Sequence, residues 1–171
     1  ENIEYLRKFV SQDSTKMIQY LKDNEYIDKD TSKILVKGVM ASGISECNEI
    51  LLTEIIYSSF FQELKPEEIV GLLALFIDEK SNEVLSVNDL VVSDNMKTLI
   101  NNIKYISKDF ADYEYNSYIE IGTDWEIHLS FIELAYCWAK GDKMTDIYSK
   151  YGNIYEGTFI RNILRIKNII D

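Results

Sequence analysis

The chain has 171 residues and a formal net charge of −11, with one proline, seven glycines and two cysteines. This length suits one domain, or one domain with a small attachment, and the low content of proline and glycine favours long helices over a sandwich of short strands. A body this acidic repels nucleic acid and anionic membranes, so any nucleic-acid contact must be a local patch, and no apolar run approaches the ~18 residues of a membrane span.

The first 33 residues predict two short lead-in helices, broken near Ser11–Ser14. Apolar residues recur at helical spacings on both sides of this break, and Asn24 ends the second helix. The stretch Lys33–Lys37 is the one short segment that we predict to be extended. Because the chain begins with Glu rather than Met, we expect it to be a piece of a longer protein.

The middle of the chain predicts three helices, because apolar residues recur at i, i+3, i+4 and i+7. They span residues 48–60, residues 66–77 and a stretch capped by Ser93 or Asp94 that runs to about Ile106. Pro66 suits the first turn of the second helix. A polar loop is predicted over residues 80–90, and an irregular loop rich in Tyr and Asp over residues 109–122.

The last third predicts a helix, a short helix and a final helix joined by tight turns. Thr123 and Glu126 form a T-x-x-E capping box for a helix over residues 124–140, which is apolar around most of its circumference and suits the centre of a bundle. Gly141 ends this helix, and Gly152 ends a short helix over roughly residues 142–150. The predicted fold is therefore all-α, a multi-helix bundle with short connections.

The final helix, residues 155–171, carries two of the three arginines in the chain. One side is apolar and comprises Tyr155, Phe159, Ile163, Ile166 and Ile170. Arg161, Arg165 and Asn168 fall on the opposite side, at spacings of four and three. Such a stripe is an ordinary solvated face in most helices and a binding surface in some, and two arginines on an otherwise acidic chain call for an explanation.

Few residues have the type and spacing that indicate catalysis or metal binding. His128 is the only histidine, and we predict a packed, hydrogen-bonded imidazole near Trp125 and Ile132 rather than a metal ligand or a triad member. Cys47 and Cys137 are predicted to be buried free thiols, as in a reducing compartment. No catalytic residue and no metal site is predicted, so the chain by itself is not expected to be an enzyme.

Two nucleotide and nucleic-acid motifs are disfavoured. No G-x-x-x-x-G-K-[ST] loop is present, which excludes nucleotide binding by that route. Residues 142–171 have the outline of a helix-turn-helix, but the second helix has almost no positive charge beside its two arginines. Because reading duplex DNA requires several phosphate contacts, sequence-specific DNA binding is not predicted.

Four segments, in this order, resemble the DSHCT domain, the C-terminal helical bundle of superkiller-like DExH RNA helicases that feed the RNA exosome. They read ILVKGVMASGI (34–44), NEILLTEIIYSSFFQELKPEEIVGLLALF (48–76), FIELAYCWAKG (131–141) and IYEGTFIRNILRIKNI (154–169). The resemblance covers most of residues 34–171, which we assign to a DSHCT-like bundle. Residues 1–33, the lead-in helices, resemble the family only loosely.

The resemblance implies a site and a set of partners. In that family two RecA-like domains bind ATP and Mg and hydrolyse the nucleotide, and the helical bundle helps to close a ring around single-stranded RNA. The bundle's ratchet helix, which touches the RNA, matches residues 155–171. Arg165 matches an RNA-contacting arginine, Arg161 lies on the same helix, Asn168 stands where the family has an acidic residue, and a second acidic contact falls at Glu79.

The resemblance therefore implies that the chain lines the RNA channel of an ATP-dependent RNA helicase and grips single-stranded RNA during translocation and unwinding. The implied partners are the RecA-like domains of the same parent chain, single-stranded RNA, and exosome or adaptor proteins, with no membrane partner. No cofactor is expected within this chain. An intracellular location is expected, with nuclear, cytoplasmic and virus-encoded origins all open. The alternative is a helical interaction domain that docks an acidic protein through the Arg161/Arg165 face.

Overall fold

A computed structural model of the chain describes residues 14–79, 86–119, 123–152 and 154–171. The regular structure in these ranges is helical, apart from one antiparallel bridge between Ile27 and Ile34, which confirms the all-α prediction. The helices are α1 (residues 14–23), α2 (Val36–Ser42), α3 (Glu49–Tyr57), α4 (Pro66–Leu73), α5 (Asp94–Asn116), α6 (Ile132–Lys140), α7 (Met144–Tyr151) and α8 (Glu156–Ile170). Short 3-10 turns cover Ala74–Phe76 and Val87–Asp89.

The centre of the bundle is the pair of helices α4 and α6, which make the most extensive contact between elements. They approach closely at Gly71, where an added Cβ would lie 2.8 Å from Met96 Cε and 3.2 Å from Tyr136 Cβ. Apolar residues of α3, α5 and α8 pack around this pair to form one core. Glycine at position 71 therefore sets how near the two central helices lie.

Helix α8 closes one side of the core, as its apolar spacing predicts. Phe159 and Ile166 are each only 2 % exposed, and the Phe159 ring lies 5.5 Å from that of Phe131. The prediction of a buried apolar side is wrong for its two end residues, because Tyr155 is 84 % exposed and Ile170 is 56 % exposed. Tyr155 is the N-cap residue of α8 and Ile170 its last residue, where the helix no longer lies over the core.

The irregular loop predicted over residues 109–122 is wrong for its first half, because α5 continues to Asn116. Phe110 is buried and lies at the helical spacing that follows Ile103 and Ser107, which are also buried. Its ring stacks on that of Trp125, with centroids 5.1 Å apart. Packing of this stripe outweighs the poor helix propensity of the Tyr and Asp residues. Residues 120–122 lie outside the described part of the chain.

The capping box predicted at Thr123 and Glu126 is also wrong. Residues 123–129 are not helical, and α6 begins only at Ile132. Thr123 Oγ1 donates to Glu114 Oε1 at 2.7 Å, so this hydroxyl binds a side chain of α5 rather than the start of a helix. The segment is held against the core by the backbone bond from His128 N to Leu75 O, at 2.9 Å.

The lead-in and the loops agree with the predictions only in part. The second lead-in helix ends just before Asn24 as predicted, whereas the first and the predicted break fall mainly on residues 1–13, outside the described part. The extended segment predicted at Lys33–Lys37 reduces to the bridge at Ile34, because α2 already begins at Val36. Of the polar loop over residues 80–90, residues 80–85 are not described, and Val87 and Leu90 are buried.

Gly141 and Gly152 end α6 and α7 as predicted. Gly141 has φ +96° and Gly152 has φ +72°, in the region that disfavours other residues. The Gly141 N–H also bonds the Trp138 carbonyl at 3.0 Å. These two sharp turns place α7 between α6 and α8 and bring α8 back onto the core.

Candidate nucleic-acid interface

The outward side of α8 presents the three residues that the sequence singles out. Arg161, Arg165 and Asn168 are all exposed. Among the residues that the structure describes, neither guanidinium has an ion pair or a side-chain hydrogen bond. Two other exposed cations of the described residues are paired, Lys167 with Asp171 and Lys108 with Asp112. The two arginines are therefore available to an anion from outside the domain.

Apolar side chains accompany the arginines on this surface. Ile160 is 49 % exposed, and Leu164 is exposed to a similar extent. Arg161, Leu164, Arg165 and Asn168 follow the i, i+3, i+4, i+7 spacing of one helix face. A guanidinium can pair with a phosphate and stack on a base, and an aliphatic side chain can contact a base or a ribose. The surface thus offers both kinds of contact that a single nucleic-acid strand requires.

Glu79, predicted from the resemblance, is brought to α8 in the structure. Its Oε2 accepts a hydrogen bond from Asn162 Nδ2 at 2.8 Å, and its backbone carbonyl accepts one from Ser130 Oγ at 2.7 Å. Because Asn162 directly follows Arg161 and precedes Arg165 by less than one turn, the Glu79 carboxylate contacts α8 within one turn of both arginines.

Asn162 is the one residue of this region that sequence reasoning missed. It is only 1 % exposed and lies on the buried side of α8, between the apolar positions Phe159 and Ile166. The signal was present, since a polar residue interrupts an apolar stripe at helical spacing. Nothing in the sequence, however, indicates that its partner comes from residue 79.

The remaining candidate residues do not form a reactive site. The His128 imidazole is mostly buried, as predicted, but it lies outside a helix and its Nδ1 is 3.8 Å from Asp78 Oδ1. Across the described ranges, no group of three or more His, Cys, Asp or Glu side chains is placed to hold a metal ion. No described helix has the length and apolar character needed to cross a bilayer.

The two cysteines are free thiols; Cys137 is buried and Cys47 is partly buried. Burial, followed by the nearby charges of Glu49 and Glu46, raises the pKa of Cys47 to about 12. Only the thiolate is nucleophilic, so at pH 8 alkylation of Cys47 should be slower than in the unfolded chain by on the order of a thousandfold. Iodoacetamide labelling of a Cys137→Ser variant, with and without denaturant, measures this ratio. Equal rates in the two conditions would contradict the assignment.

Comparison with known proteins gives a consistent result. The family model for the DSHCT (NUC185) domain matches residues 31–171. The DExH-box ATP-dependent RNA helicase DExH9 of Arabidopsis thaliana is 26 % identical over 149 residues, which are 85 % of this chain and 14 % of that protein. The ATP-dependent RNA helicase mtr4 of Schizosaccharomyces pombe is 27 % identical over 140 residues, 80 % of this chain and 12 % of that protein.

A shorter and more similar match involves the antiviral helicase SKI2 of Saccharomyces cerevisiae. It is 42 % identical over 67 residues, which are 39 % of this chain and 5 % of that protein. The chain thus spans about one seventh or less of the length of these curated relatives.

Proposed function

This chain belongs to the DSHCT domain family, and from that membership we propose that it lines the RNA channel of an ATP-dependent RNA helicase, where α8 grips single-stranded RNA during translocation and unwinding. The observation that carries the proposal is the pair of exposed guanidiniums of Arg161 and Arg165, which have no carboxylate partner among the described residues. Asn168 extends the same face with an amide, and Glu79 contacts α8 from the neighbouring segment.

Contacts made by arginine suit RNA binding that does not depend on base sequence. A guanidinium recognises the phosphate and the face of a base, which every nucleotide has. Each such contact contributes on the order of 1–3 kcal/mol. This is enough to hold a strand between ATP-driven steps, but it does not overcome the repulsion from a chain of net charge −11. The isolated chain should therefore bind RNA weakly.

The rest of the binding energy is assigned to other domains of the parent protein. RecA-like domains with bound ATP and Mg would supply the motor and most of the phosphate contacts. The relative named exosome RNA helicase MTR4 in Homo sapiens, 27 % identical over 143 residues, supports exosome or adaptor proteins as further partners of the parent protein.

Replacing Arg161 and Arg165 together with alanine, in the full-length protein that carries this chain, tests the proposal. We expect unwinding and RNA-stimulated ATP hydrolysis to fall by about tenfold or more, because two contacts of 1–3 kcal/mol are lost. Both side chains are exposed, so folding should be unchanged. A strand-displacement assay and a steady-state ATPase assay measure the effect.

The matched control is Lys104→Ala with Lys108→Ala. These two lysines have the same i, i+4 spacing on the exposed side of α5, and their removal changes the net charge equally. The control should leave unwinding unchanged. Normal unwinding by the arginine variant, together with loss of binding to an acidic protein, would support the docking alternative instead.

A further inference from the structure

The contact between Asn162 and Glu79 is unusual for the interior of a helical bundle. Asn162 is almost fully buried, and its Nδ2 donates to Glu79 Oε2 at 2.8 Å. Its Oδ1 is also buried and has no hydrogen-bond partner among the described residues. A carboxylate only accepts hydrogen bonds, so the amide must point its NH₂ group at Glu79 and leave Oδ1 unsatisfied. A buried polar atom without a partner requires an explanation.

Stability does not explain this asparagine. Leucine has the same branched shape, suits a helix better and would leave no unsatisfied atom at a position flanked by the buried Phe159 and Ile166, although its two methyl groups need more room than the amide. What leucine could not do is hold the Glu79 carboxylate. We propose that Asn162 is a positioning residue, which fixes the carboxylate of Glu79 against α8, within one helical turn of Arg161 and of Arg165. This inference rests on the proposed function.

The backbone of Glu79 is fixed as well. Its carbonyl accepts from Ser130 Oγ at 2.7 Å, and Ile77, two residues earlier, is fully buried. The Asn162 side chain lies about 60° around the helix from that of Arg165. With both backbone and side chain held, the half-buried carboxylate has little freedom to fold away from α8.

A carboxylate fixed on the same turn of α8 as two guanidiniums, but forming no ion pair with them, favours different parts of a nucleic-acid strand at the two places. The arginines attract phosphates, and Glu79 repels them but accepts hydrogen bonds from neutral donors. Two groups of an RNA strand can donate to it: the ribose 2′-hydroxyl and the exocyclic amino group of a base. Glu79 would therefore set the register of the strand on α8, with phosphates at the arginines and a sugar or base edge at the carboxylate.

The test combines Asn162→Leu, Glu79→Ala and the double variant in the full-length protein. Folding is followed by urea denaturation, and affinity is measured with a single-stranded RNA and a DNA of the same sequence. The folded Asn162→Leu variant should bind RNA about three- to tenfold more weakly than the parent, because Glu79 loses the amide that holds it. Glu79→Ala should weaken binding similarly, and the double variant should be no worse than Glu79→Ala alone.

The DNA measurement identifies the donor. If the 2′-hydroxyl donates, both single variants lose RNA affinity while DNA affinity stays the same. If a base amino group donates, affinity for both strands falls equally. Should the leucine variant fail to fold, Asn162→Ala, which removes the amide without adding volume, takes its place.

Two results would overturn the inference. One is unchanged RNA affinity in the folded Asn162 variant, and the other is a loss that persists undiminished in the Glu79→Ala background. Loss of unwinding in the Arg161/Arg165 variant alongside a neutral Asn162 variant would reject the inference and keep the proposed function. No effect in either variant would reject both.

Discussion

Replacing Phe159 with alanine is expected to lower the free energy of unfolding by about 3–5 kcal/mol, the cost of removing a large aromatic side chain from a packed core. Phe159 is the largest buried side chain of α8, with 2 % of its surface exposed. Its ring contacts Phe131, at the start of α6, and lies 6.2 Å from the ring of Tyr148 in α7. The resulting cavity would loosen three helices at once.

Urea denaturation followed by circular dichroism measures this loss, and Ile160→Ala is the matched control. Ile160 is the next residue of the same helix and is 49 % exposed, so its truncation should cost less than about 1 kcal/mol. The two variants together test the orientation of α8. If Ile160→Ala proved the more destabilising of the two, the arginines would lie on the buried side and the proposed grip would fail.

That orientation could be predicted from the sequence because one helix carries both a regular apolar stripe and a regular polar one. The spacing of Phe159, Ile163 and Ile166 predicts the buried side of α8, and the same count places Arg161 and Arg165 outside. The limits of this sequence-based prediction also have a physical cause. Periodicity describes a helix but not where its neighbours stop, so the exposed ends at Tyr155 and Ile170 could not be predicted.

The errors on either side of residue 120 have different causes: tertiary packing extends α5 before it, whereas a local pattern was assigned the wrong period after it. Residues 124–131 read DWEIHLSF, in which polar and apolar side chains alternate. This period of two favours an extended segment over a helix, and the predicted helix over residues 124–140 is wrong here because it neglects that alternation. In the structure residues 123–129 are not helical, and Glu114 accepts hydrogen bonds from Thr123 Oγ1 and from the indole Nε1 of Trp125, each at 2.7 Å. These bonds fix residues 123–125 along α5, and no local signal in the sequence predicts them.

The candidate site likewise has one part that the sequence predicts and one part that only the fold reveals. Exposure of the arginines follows from local helix geometry, whereas the placement of Glu79 against Asn162 joins residues 83 positions apart. The resemblance suggested Glu79, but the sequence could not predict the asparagine that holds it. Local patterns therefore give the face of α8, and only the fold gives the group that lies beside it.

Replacing Lys37 with methionine is expected to cost about 3–5 kcal/mol, because it leaves a carboxylate without its cation in the interior. Lys37 is buried in α2, and its Nζ lies 2.6 Å from Glu54 Oε1 in α3. The same ammonium donates to the carbonyl of Asn24 at 3.1 Å and lies 4.7 Å from the centre of the Tyr26 ring. One charge thus joins the lead-in segment to two helices.

Three variants separate the charge from the packing. Lys37→Met combined with Glu54→Leu should recover most of the stability, because a buried ion pair replaced by apolar side chains of similar size is often neutral. Lys108→Met, which breaks the exposed pair with Asp112, should leave the stability almost unchanged, because solvent screens the pair. Amide hydrogen exchange at residues 20–26 should also accelerate in Lys37→Met. Glu54, which loses its lysine in that variant, also accepts a hydrogen bond from the Tyr26 hydroxyl at 2.8 Å, so the lead-in segment loses part of its attachment. Equal stability of the Lys37 and Lys108 variants would show that the Lys37–Glu54 pair is solvated and that the lead-in segment is held by apolar packing alone.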